Sequence, residues 1–66
     1  MTWNTIEGAW KDWHGRVQER WDKLSSNDLM LIDGSRQRLV RFLQERYGKT
    51  RDELEREIEA FCADFD

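Results

Sequence analysis

A chain of 66 residues and 8.0 kDa carries one small domain, spanning 1–66, because a chain this short buries only about 60% of the surface it exposes when unfolded. Apolar and charged residues are equally frequent at 38% each, too polar for a membrane span and, with 12% aromatics, too rich in rings for a disordered tail. The formal charge of −3 argues against a polyanion as obvious partner and the single cysteine excludes an intrachain disulfide; a cytoplasmic protein is the default, expected as a monomer.

The first third places Trp3, Ile6, Trp10, Trp13, Val17, Trp21 and Leu24 at steps of three and four, a helix stripe. It predicts one helix over about 5–23, opened by an Asn4/Glu7 capping box and supported by the i,i+4 pairs Glu7/Lys11, Asp12/Arg16 and Glu19/Lys23. Gly8 and Gly15 fall nearly opposite the stripe. Either a second element packs closely there or Gly15 marks a kink.

Ser25 with Asp28 gives a second capping box, and Leu24 with Leu29 a hydrophobic staple around it. A short second helix follows. Its Leu29–Ile32 run predicts burial on most of its circumference, and Gly34 suits a left-handed end. A third helix over about 35–47 carries Leu39, Val40, Leu43 and Tyr47 on one face and is ended by Gly48. Thr50 with Glu53 starts a fourth over about 51–63, where Leu54, Ile58, Phe61 and Phe65 repeat at helical steps. The expected fold is all-α: a small bundle of about four helices, two helical hairpins packed at an angle. Ile6, Trp10, Val17, Leu29, Ile32, Leu39, Leu43, Leu54, Ile58 and Phe61 form the expected core.

Charge is uneven along this order. Residues 34–51 carry +5 and residues 52–66 carry −6, which suits the third and fourth helices lying side by side with complementary flanks. The same basic segment offers the other reading, in which Arg38 and Arg41, with Gln37 and Gln44 on the outer side of the third helix, touch nucleic-acid phosphates. Overall acidity speaks against it.

No residue pattern favours catalysis. His14 has Trp10, Lys11, Val17 and Gln18 as helical neighbours, none a carboxylate or thiol, so it reads as a boundary residue. Cys62 stands beside Glu59 and Asp64, which disfavour a thiolate, and reads as a half-buried inert thiol. The acids Asp52, Glu53, Glu55, Glu57 and Glu59 lack EF-hand spacing and read as a solvated face. No glycine-rich phosphate loop, nucleophile elbow or zinc spacing occurs, so neither cofactor nor metal is expected. Four tryptophans are many for so small a core, so some should stay exposed. Trp13, on the edge of the stripe away from Trp3 and Trp21, is the candidate partner-binding residue. Asp12, Glu19 and Asp22 on the polar face do not suit an anionic lipid surface.

Trp3-Asn4-x-Ile6-x-Gly8-x-Trp10-Lys11, then Gly15, then Trp21-x-Lys23-Leu24, resembles the opening of the CsbD-like family of small bacterial stress-response proteins. Asp28-Leu29, Ile32-x-Gly34, Leu39-Val40 and Gln44-x-Arg46-Tyr47-Gly48 are similar to that family's second half, so the resemblance runs to about residue 58. It implies a bacterial cytoplasmic protein made under general stress or in stationary phase, folded as about four helices, with no catalytic residue or cofactor to carry over. The chain departs from the pattern at Asp12-Trp13-His14, at Arg41 and in its tail from Phe61 to Asp66. The implied role is therefore binding, to a protein or, as the alternative, to nucleic acid.

Overall fold

The computed structural model describes residues 2–65 and is all-helical, with α1 (Trp3–Gly8), α2 (Trp10–Arg20), α3 (Ser26–Ile32), α4 (Arg36–Tyr47) and α5 (Arg51–Ala63). The fifth helix arises because the expected first one is broken. The break is at Ala9 (φ −120°, ψ 35°), not at Gly15, which lies inside α2. Ala9 N donates to Ile6 O at 3.2 Å and Asp12 N to Ala9 O at 2.9 Å, three-residue turns that tighten the chain locally. Long-range contacts explain the place. The indole N–H of Trp3 donates to Gly34 O and that of Trp10 to Leu29 O, both at 2.8 Å, so α1 and α2 each present an indole to the end of α3. Two buried indole bonds outweigh the helical turn lost at Ala9. Gly8 and Gly15 make no room for a neighbour, since a Cβ at either would meet nothing within 4 Å.

The start of α1 also differs from expectation. Thr2, not Asn4, is the N-cap, without a side-chain cap bond, and Asn4 sits exposed inside the helix. None of the three expected i,i+4 pairs forms an ion pair among the described residues. Arg16 lies over the Trp13 and Phe65 rings at 4.8 and 5.2 Å, and Lys23 over Tyr47 at 5.0 Å, where the cations also shield apolar surface.

At α3 the box closes in both directions: Ser25 Oγ accepts from Asp28 N at 3.1 Å, and Asp28 Oδ2 accepts from Ser25 N at 3.1 Å. Leu24 and Leu29, on either side of it, are both buried. The all-round burial expected of this helix is overturned. Leu29 and Ile32 face inward, but Met30 and Leu31 are 69% and 54% exposed, because α3 packs on α2 and α4 and leaves its remaining face to solvent. Two left-handed residues end it, Asp33 at φ 48° and Gly34 at φ 82°. Glycine is needed at 34 twice over. Besides the positive φ, a Cβ there would stand 3.1 Å from Glu7 Cγ and 3.2 Å from Glu7 O.

Ser35 caps α4 by accepting from Arg38 N at 3.3 Å, and Gly48 at φ 66° ends that helix. Thr50 caps α5, its hydroxyl accepting from Glu53 N at 3.3 Å and donating to Glu53 Oε1 at 3.1 Å. Thr50→Ala is expected to cost about 1 kcal/mol, read as a lower denaturant midpoint at unchanged slope. An unchanged midpoint would remove Thr50 as the cap.

The ten expected core residues are buried, and so are Trp3, Trp13, Trp21, Leu24, Val40 and Cys62. No tryptophan of the four stays exposed. The short links make consecutive helices neighbours, α4 with α5 most extensively, within extents of 27 × 24 × 19 Å.

Candidate functional site

Trp13 is not a surface anchor. It is 5% exposed, with the Phe65 and Phe61 rings edge-on to it at 4.8 and 5.9 Å and the Arg16 guanidinium on its open side. The residues that enclose it come from the end of α5 and the turn beyond, a part of the chain whose return onto α2 no local pattern announces. Phe61 continues the cluster to Trp21 at 5.3 Å.

His14 is half-buried, its ring edge-on to Trp10 at 5.3 Å, and its Nε2 is buried with no hydrogen-bond partner. Among the described residues no carboxylate orients it. Cys62 is more deeply buried than expected, at 8% exposure, and burial pushes its thiol up from the ordinary value. Among the described residues no group of three His, Cys, Asp or Glu could hold a metal ion, and no helix is long and apolar enough to cross a membrane.

Two carboxylates have environments that the sequence did not announce. Asp28, 5% exposed, accepts from Arg46 Nη2 through both oxygens, at 3.0 and 3.1 Å, in addition to its bond from Ser25 N. The Ser25 N–H holds its carboxyl below the ordinary range, with Arg46 adding to the effect against the opposing cost of burial. Glu57 joins three parts of the chain. It accepts from Lys49 Nζ at 2.8 Å, from the Trp21 indole at 3.2 Å and from Arg20 Nη2 at 3.3 Å. The Lys49 ammonium is the main reason its carboxyl is also lowered.

These pairings decide the basic segment. Arg36 reaches Glu59 at 3.7 Å, Arg46 takes Asp28, Lys49 takes Glu57, and Arg51 pairs with Glu55 at 3.5 Å. The complementary-flank reading thus holds for Arg36 and Lys49, while Arg46 turns away to α3. Arg38 and Arg41 are left without a carboxylate partner among the described residues. Arg38 donates from Nη1 to Leu31 O at 3.2 Å. Arg41 is exposed and lines an open cleft of about 190 Å³ with Gln37, Val40, Gln44 and Arg51. The cleft therefore keeps Arg41 of the two residues singled out in α4, omits Arg38, and adds Arg51 from α5. The Thr50 cap was the available signal for that addition, since it sets Arg51 at the first position of α5 beside the end of α4.

The chain is 44% identical to a UPF0337 protein of Rhodopseudomonas palustris over 59 residues, covering 89% of each chain. It is 39% identical to a UPF0337 protein of Nitrosomonas europaea over all 66 residues, which make up 70% of that protein. It is 45% identical to the UPF0337 protein YjbJ of Escherichia coli K12 over 51 residues, 77% of this chain and 74% of that one. No family model and no solved structure matches the chain. With identities of this level across most or all of its length, the chain belongs to the UPF0337 family, that of the CsbD-like proteins its residues resemble.

Proposed function

We propose that this chain is a non-enzymatic bacterial stress-response protein that works in the cytoplasm by binding. The family resemblance supports the stress role, and one structural observation supports the non-enzymatic part: the two carboxyls held below the ordinary range are engaged in holding the fold, and the thiol is buried. Asp28 and Glu57 are tied to cations and N–H donors on other elements, and the Cys62 thiol is buried with its ionisation opposed. Stress survival of a deletion strain, complemented with wild type, His14→Ala or Cys62→Ala, tests the reading. Equal rescue by all three is expected. Deletion without effect under every stress would remove the stress role, and loss of rescue by a folded His14 or Cys62 variant would restore a chemical one.

A second reading, association with nucleic acid, is favoured by a specific observation. Of the six basic residues between 34 and 51, the two without a carboxylate partner among the described residues, Arg38 and Arg41, share one helix and are exposed. Capture from stressed cells with identification of both protein and nucleic acid separates the two kinds of partner.

A further inference from the structure

We infer that the α4–α5 cleft, built on Arg41 and Arg51 and not on Arg38, is a binding strip for the phosphate backbone of nucleic acid. The inference rests on the nucleic-acid reading above and assigns it a site. Gln37, Arg41 and Gln44 stand at i, i+4 and i+7 of α4, one exposed stripe, and Arg51 enters beside them from the first turn of α5. Val40 completes the lining, and no carboxylate contributes to it. Among the described residues Arg41 has no ion-pair or hydrogen-bond partner, and Arg51 meets Glu55 only through Nε at 3.5 Å, an exposed contact that a phosphate can outcompete.

Length selects the ligand. Seven residues of helix rise about 10 Å, which matches the axial rise of about three nucleotides along one strand at 3.4 Å each and exceeds what a single small anion occupies. The chemistry fits an extended polyanion as well: two guanidiniums supply charge, and the flanking amides supply neutral donors to phosphate oxygens and sugars. Arg38 lies outside. Its guanidinium is drawn towards Leu31 O at the end of α3. The net charge of −3 makes the contact weak, and with two arginines engaged its salt dependence is shallow.

The test is fluorescence anisotropy of a short labelled DNA duplex of mixed sequence, titrated with wild type, Arg38→Gln and the double variant Arg41→Gln/Arg51→Gln, each checked for an unchanged unfolding midpoint. Wild type should bind at low ionic strength with a log–log salt slope of about −2, one unit per arginine engaged. The double variant should lose about tenfold or more in affinity and most of the slope, while Arg38→Gln stays within about twofold. No binding by wild type overturns the nucleic-acid reading and the site together. Binding that survives the double variant but falls with Arg38→Gln keeps that reading and overturns the site. Chemical-shift changes at Arg41 and Arg51 with inorganic phosphate, without any response to duplex, would overturn the strip in favour of a small-anion site.

Discussion

Replacing Trp13 with alanine is expected to remove about 3–5 kcal/mol, the range for deleting a buried indole, from a domain whose whole stability is on the order of 3–10 kcal/mol. The loss has identifiable parts. The indole is 5% exposed, so its transfer free energy is nearly all forfeited, and the cavity would separate α2 from Phe61 and Phe65. Arg16 would lose the face it lies on. Urea unfolding followed by circular dichroism measures it. If the alanine variant does not fold, Trp13→Phe, which keeps a ring for Phe65 to meet, should fold with a reduced midpoint. A midpoint unchanged in either variant would mean that Trp13 is not part of the core.

Asp28→Ala is expected to cost about 2–3 kcal/mol at neutral pH. It opens the capping box of α3, worth about 1 kcal/mol, and leaves the Arg46 guanidinium without the carboxylate that both its bonds reach. Arg46 is partly exposed and can turn to water, which keeps the cost below that of a fully buried orphan charge. The pH dependence has a definite sign. The carboxyl is lowered on folding from its ordinary value of 3.8, so its contribution is fully present above that value and is lost as pH falls through it towards the lower folded value. Glu57, lowered from 4.5, adds loss in the same direction. Wild type should therefore lose stability steeply below about pH 4, and Asp28→Asn, which retains the amide oxygen as an acceptor for Ser25 N–H, should show a shallower fall from a lower neutral-pH value. Parallel curves for the two proteins would show that neither the Ser25 N–H nor the Arg46 guanidinium holds the Asp28 carboxylate in solution.

What could be read in advance is what adjacent residues decide. The Ser25/Asp28 box, the Thr50 cap and the glycines that end α3 and α4 act over one turn, and the tryptophan stripe depends only on spacing. Ala9 is different, because its break is set by indole bonds reaching 19 and 31 residues along the chain. Trp13 was misjudged for the same reason: its lid is Phe65, fifty-two positions away, and nothing local to Trp13 refers to it. Met30 and Leu31 show the converse, apolar residues whose exposure follows from where α3 lies in the bundle. In the cleft, Arg41 was legible as the outer face of a helix, while Arg51 required the turn that folds α5 back along α4.

The break at Ala9 also divides the molecule in time. A helix of six residues is far below the length that holds together by itself in water, so α1 exists only while Trp3 and Ile6 stay seated and Gly34 keeps its indole bond. Because the α-helical run is interrupted at Ala9, α1 can come away while α2 keeps its own turns, losing the Trp3–Trp10 ring contact at 5.9 Å, and residues 3–8 form a unit with an opening equilibrium of their own. Amide exchange should run ahead there, with α2, α4 and α5 following only on global unfolding. Opening of α1 is then a local excursion of low cost, one that bares the inner side of Gly34 and the carbonyl end of α3 while the rest of the bundle remains folded.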